Sequence, residues 1–191
     1  MIVALAGLAL LVLVGKRGMR DNSADTAEDS TGEVTSTVSK YVENETYDDE
    51  PFADTLGSYI GAPYYFGKGS PSTPLSEIWS GADCSGAVQM GLVAIGYLDS
   101  KAPDRSVVGL ANICDPIEVG QQQPGDLAIY DGHIMLVYSY PRSDGHSAVW
   151  GMHGGGKSDL GNNPNARLDV MGTALYWKDA FLTYARFKES V

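Results

Sequence analysis

Residues 124–140, PGDLAIYDGHIMLVYSY, decide the reading of the fold. Pro124-Gly125-Asp126 is a turn, Leu127–Tyr130 an apolar run of strand length, Asp131-Gly132 a hairpin-type dipeptide, and His133–Tyr140 a second strand. In that second strand His133, Met135 and Val137 share one face, and Ile134, Leu136 and Tyr138 share the other. Downstream, Ser147–Met152 predicts a third strand and Leu182–Phe187 a fourth. Upstream the period changes. Asp83 to Gly96 carries Val88, Leu92 and Ile95 at spacings of four and three, which predicts a helix. Gly86 and Gly91 cost such a helix stability and point to close packing against a neighbour. Ala53 to Ile60 reads as a short helix before a turn at Gly61-Ala62-Pro63. Helices first and hairpins later predict an α+β fold with a largely antiparallel sheet.

Charge draws the boundaries around that fold. The 191 residues hold 13 Lys and Arg against 24 Asp and Glu, a formal charge of −11, divided as +3 over residues 1–20, −9 over 21–50 and −5 over 51–191. Such a balance argues against nucleic acid as a partner, which needs clustered cations to displace counterions. Two cysteines make no disulfide framework, and no C-x-x-C pair suggests a zinc finger. Residues 1–15 are apolar or glycine and end at Lys16-Arg17. A helix of that length is about 22 Å long against a hydrocarbon core of about 30 Å, so spanning needs snorkelling cations or continuation through Gly18 and Met19. The cations follow the apolar run, unlike a secretory signal, so residues 1–20 read as a membrane anchor. By the positive-inside rule it would leave the rest of the chain cytoplasmic. Residues 21–50 are too polar to offset their ordering entropy and read as a solvated acidic tether, the alternative being a docked helix from Glu33 to Glu45. Residues 51–191 must form the globular domain, which is large enough for one core.

Cys84 falls in the first turn of the 83–96 helix, where unpaired N–H groups and the macrodipole favour a thiolate. His133 opens a strand just after a turn, and His153 ends the next one. A cysteine at a helix start, a histidine on a strand and a polar residue on the neighbouring strand form a nucleophile–base–orienter set. His146 competes with His153 for the orienting role, although Ser143-Asp144-Gly145 beside it reads as an exposed turn. Cys114 has no base near it in sequence and reads as a small core residue.

The order of these segments resembles the NlpC-type papain-like cysteine peptidases, over roughly residues 52–188. Pro63-Tyr64-Tyr65-Phe66-Gly67 looks like that family's P-Y-x-W-G-G entry segment, and Asp83-Cys84-Ser85-Gly86-Ala87-Val88-Gln89 is similar to its D-C-S-G-x-V-Q helix. Arg105-Ser106 resembles its R-[ST] pair, Pro124-Gly125-Asp126-Leu127 its P-G-D-L turn, Gly132-His133-Ile134 its base strand, and Ala185-Arg186-Phe187 its closing A-R-R-F. Lys68 departs from the pattern, standing where a second glycine is usual, and the insert around Pro141–Ser147 lengthens the gap between His133 and His153.

The resemblance implies a papain-like fold and a hydrolase that cuts peptide bonds beside D-glutamate in peptidoglycan stem peptides, without cofactor. Cys84 would attack, His133 would act as base, and His153 would hold its tautomer. The Cys84 N–H, with the Tyr64 hydroxyl, would bind the oxyanion. Tyr64 and Asp83, assisted by Ser85, would recognise a free amino group on the substrate; equally, Asp83 caps the helix and Tyr64 packs. A wall-cutting domain behind a cytoplasm-directing anchor suggests a bacteriophage virion protein, with other virion proteins as partners, or an envelope protein inserted against the charge rule. A silent structural or wall-binding module, and an amidase or acyltransferase on the same fold, are the other readings.

Two further signals stand in the sequence. Residues 151–158, GMHGGGKS, fit the phosphate-loop spacing, but Gly161-Asn162-Asn163-Pro164 denies the helix that such a loop requires. Cys84, His133 and His153 are zinc-ligand types without zinc spacing.

Overall fold

The computed structural model describes residues 50–188, apart from the side chains of Tyr176 and Trp177. The anchor over residues 1–20, the acidic tether as far as residue 49 and the alternative helix from Glu33 to Glu45 lie outside the described residues. Among the described residues no helix is long and apolar enough to cross a membrane.

A short helix α1 (Ala53–Leu56) runs into a 3-10 turn at Gly57–Tyr59. After a second 3-10 segment at Leu75–Ser80 comes the principal helix α2 (Cys84–Ala94), and then α3 (Val107–Ala111). The strands follow as β1 (Cys114–Ile117), β2 (Leu127–Tyr130), β3 (His133–Val137), β4 (Val149–His153), β5 (Arg167–Met171) and β6 (Phe181–Phe187). They form one six-stranded sheet in the order β1-β6-β2-β3-β4-β5, with every pair antiparallel. The α+β expectation holds, with helices first and the sheet after them.

Two of the six strands were not expected. β1 carries exposed Asp115 and Pro116 at the sheet edge, where Pro forfeits no ladder bond, so it lacks the apolar alternation that marks a strand. β5 alternates correctly, with Leu168 and Val170 buried, but is only five residues long and follows a stretch rich in Gly and Asn. From Gly154 to Ala166 the chain makes turns, and no helix follows Ser158, so the phosphate-loop geometry is not formed.

The alternation read in β3 places its side chains in two cores. Ile134, Leu136 and Tyr138 face α2 together with Val88, Leu92 and Trp150. Met135 and Val137 join Ala128, Tyr130, Val149 and Tyr184 on the opposite face. Both glycines of α2 are explained by close approach. A Cβ at Gly91 would stand 2.9 Å from the Trp150 ring, and one at Gly86 would stand 2.2 Å from the Lys68 carbonyl oxygen. Trp150, fully buried, donates its indole N–H to the Leu56 carbonyl and so ties α1 to the sheet.

Two polar clasps hold segments that periodicity alone does not place. Buried Gln89 donates to Asp104 Oδ1 and the Arg105 carbonyl and accepts from the Arg105 N–H, pinning the α2–α3 connection against the helix. Ser106 caps α3 by accepting from the Gly109 N–H. Asp126, 4% exposed, accepts Arg186 Nε at 2.9 Å and Nη2 at 2.8 Å, so the turn before β2 is locked to β6 by a bidentate pair.

Candidate active site

Asp83 is the N-cap of α2. Its Oδ1 accepts from the Gly86 N–H at 2.8 Å and the Ser85 hydroxyl at 3.0 Å, and its Oδ2 accepts from the Gly67 N–H at 3.0 Å. The capping reading of Asp83 is therefore realised, and Ser85 is turned toward that carboxylate. The Asp83 N–H donates to the Lys68 carbonyl, so the entry loop lies over the first helical turn. Gly69 and Gly86 permit this crossing, since a Cβ at either would collide with the other's backbone. Lys68 is accommodated by reaching outward: its Nζ donates to the Ser80 carbonyl and sits 4.1 Å from the Tyr65 ring centroid.

Cys84 is half-buried at the first position of α2. Burial and the Asp83 charge push its thiol up to about 11, against the pull of the Ser85, Ile134 and Cys84 N–H groups. The expected helix-stabilised thiolate is thus corrected for the resting molecule: desolvation outweighs three backbone donors, and the group is a thiol. The participation of Ile134 matters for geometry. It immediately follows His133, so the start of β3 lies against the sulfur.

His133 is pushed down to about 4 by burial and by the neighbouring His153 ring, while the Met152 carbonyl works the other way by accepting from the imidazole. At rest Cys84 is accordingly a neutral thiol and His133 a neutral imidazole. His153, at the end of β4, faces Asp169: its Nε2 is 3.5 Å from Asp169 Oδ2, a charge–dipole distance longer than a well-formed hydrogen bond. Asp169 Oδ2 also lies 3.7 Å from Arg167 Nη2. Burial works to raise Asp169, but His153, the Val170 N–H and Arg167 outweigh it and hold the carboxyl below its ordinary value.

Asp169 was missed in the sequence. On β5 it pairs with Gly151, and Arg167 pairs with His153, so Asp169 is the diagonal neighbour of His153 on the same face. The signal that could have found it is the alternation Arg167-Leu168-Asp169-Val170, once that run is recognised as a strand beside β4.

His146 is engaged elsewhere. Its Nδ1 lies 3.2 Å from the Tyr184 hydroxyl and its ring packs edge-on against Phe181. Tyr64 is buried, and a Cβ at Gly155 would fall within 2.3 Å of its ring, so the loop after β4 lies directly on it. Burial, with Cys84, Asp83 and Asp159 nearby, pushes its phenol upward, so its hydroxyl keeps its proton beside the sulfur. A hollow of about 210 Å³ is lined by Pro63, Asn162, Asn163, Pro164 and Arg167, the last being the cross-strand partner of His153. Cys114 is buried in β1. Among the described residues no three His, Cys, Asp or Glu side chains converge as metal ligands would.

This is a site built from a helix-borne cysteine and a pair of sheet-borne histidines on an α+β frame. No family model matches the chain, and no curated protein matches it. Among solved structures it is similar to a Staphylococcus aureus protein described as similar to a lipoprotein of the NLP/P60 family, at 21% identity and a TM-score of 0.48. That likeness covers 82% of this chain and 46% of the other, so the chain spans less than half the length of the structure it matches.

Proposed function

We propose that residues 51–191 are a cysteine peptidase of NlpC type that hydrolyses peptide bonds beside D-glutamate in peptidoglycan stem peptides. The observation that carries the reading is that the Ile134 N–H lies near enough to Cys84 to pull its thiol downward, which brings the strand bearing His133 close to a cysteine at a helix start. The order of the motifs adds the substrate class.

Because the resting pair is neutral, attack is coupled to proton transfer. As Sγ bonds to the scissile carbonyl carbon, its proton moves to His133, and the carbonyl π pair becomes the oxyanion. In this reading the Cys84 N–H and the Tyr64 hydroxyl are the donors for that charge. His133 then gives its proton to the leaving amine as the C–N bond breaks, leaving a thioester. Water, deprotonated by His133, attacks the thioester and releases Cys84 as a thiol. His153 lowers the affinity of His133 for a proton, so the imidazolium formed in attack is a ready acid toward the leaving amine. Asp169 holds His153 in turn, and both are positioning residues. Asp83, whose carboxylate is only half-buried, with Tyr64 and Ser85, would meet a cationic amine on the substrate.

Residues 1–20 would attach this activity to a membrane, in a cell envelope or a bacteriophage virion. The test is digestion of purified peptidoglycan with mass spectrometry of the fragments. Stem peptides cut beside D-glutamate are expected, with Cys84→Ala inactive. Full activity of Cys84→Ala would end the proposal.

A further inference from the structure

At the far end of the domain from Cys84 lies a groove of about 750 Å³, walled by Tyr97 and Phe187 and rimmed by Lys101, Arg105, Arg186 and Lys188. α2 separates the two places. Cys84 begins the helix and Tyr97 follows its C-terminal end, about 16 Å along the axis for eleven residues. The sheet agrees: Asp126, which lines the groove, precedes β2, whereas Tyr130 at the other end of β2 pairs with His133.

The charge of this groove runs against that of the molecule. Its four cations face two lining carboxylates, Asp99 and Asp126, a net +2 in a domain that carries −5. Arg186 is committed to Asp126, and Lys188 Nζ donates to the Asn112 carbonyl. Lys101 and Arg105 are different. Neither side chain has an ion pair among the described residues, and Arg105 Nε is buried with no hydrogen-bond partner. A buried guanidinium N–H left unsatisfied is costly, and an anionic acceptor in the groove would satisfy it.

The entry of the chain supplies the occupant. Phe52 packs edge-on against Tyr97, with ring centroids 5.9 Å apart. The Tyr97 ring in turn lies close over Gly125, where a Cβ would stand 2.5 Å from it. The first described residues are therefore stapled to the groove wall. Immediately before Phe52 the sequence carries Glu43, Glu45, Asp48, Asp49 and Glu50. Elsewhere the negative domain repels such a run.

We propose that the acidic segment over residues 43–50 docks in this groove, with carboxylates on Lys101 and Arg105. The acidic segment is thereby held against the end of the domain opposite Cys84. Covalent linkage makes the effective concentration of the segment high, in the millimolar range for a short connection, so weak pairing suffices.

The experiment is zero-length carbodiimide coupling of the full chain in detergent, read by peptide mass spectrometry on a mixture of ¹⁴N- and ¹⁵N-labelled protein. Crosslinks from Lys101 and Lys188 to residues 43–50 within one chain are expected. They should fall at least fivefold in 0.5 M NaCl, and equally in E43Q/E45Q/D48N/D49N, a variant that changes none of the described residues. Arg105→Glu should reduce coupling at Lys101 while retaining that nucleophile, its fold being checked by circular dichroism. Crosslinks spread evenly over Lys68, Lys157 and Lys178 would overturn the proposal. So would mixed-isotope crosslinks, which would mark a second copy as the occupant.

Discussion

Replacing His133 by Gln makes the sharpest test of the site's electrostatics. In the folded molecule His133 is held down to about 4 by burial and the nearby His153 ring, against 6.5 for the free side chain. As pH falls below 6.5 the unfolded chain takes up this proton while the folded chain refuses it, so stability rises with pH across the interval. The difference between the two pKa values corresponds to about 3 kcal/mol, lost progressively from pH 6.5 down to about 4 and constant below. Gln keeps a neutral donor for the Met152 carbonyl and has nothing to titrate. Urea unfolding at 25 °C, repeated at half-unit pH steps from 7 to 3.5, should therefore show wild type losing about 3 kcal/mol more than His133→Gln. Titrating groups that do not interact with His133 cancel in that difference. Parallel curves for the two proteins would refute the neutral resting pair, and with it proton transfer coupled to attack.

Asp169→Asn should lower kcat by about tenfold with KM little changed, because Asp169 acts on the base only through His153; stem-peptide kinetics with mass-spectrometric detection check this, and an unchanged kcat would remove Asp169 from the site. Gly86→Ala forces a methyl against the Lys68 carbonyl and should cost about 3 kcal/mol or more, read as a lowered urea midpoint at constant slope. Arg186→Ala strands nearly buried Asp126 and should cost about 2 kcal/mol, discounted because the arginine is half exposed, read as a lowered urea midpoint.

The reading from local pattern succeeded where local pattern carries the physics. The hairpin dipeptide Asp131-Gly132 and the alternation from His133 to Tyr138 set strand pairing and the division of side chains between two cores. The four-and-three spacing in α2, with its two small residues, foretold a helix packed close against a neighbour, and the neighbours are the Trp150 ring and the Lys68 backbone. Asp83 as a cap is likewise a contact within three residues, legible without a fold. Tyr64, by contrast, reaches Cys84 only because the entry segment bridges Ala82 on one side and its N–H donates to Ala166 on the other.

The linear chain by itself determined the principal helix, the central hairpin, the helix-borne cysteine and the candidate histidines, because helix and strand periods arise from interactions a few residues long. Tertiary structure decided the rest. β1 and β5 exist as strands because β6 and β4 offer them ladders, and Asp169 joins His153 only through that pairing. The ionisation of Cys84 was decided the same way. A helix start favours an anion on local grounds, but the packing of α2 against β3 removes water from the sulfur, and desolvation is a property of the assembled fold.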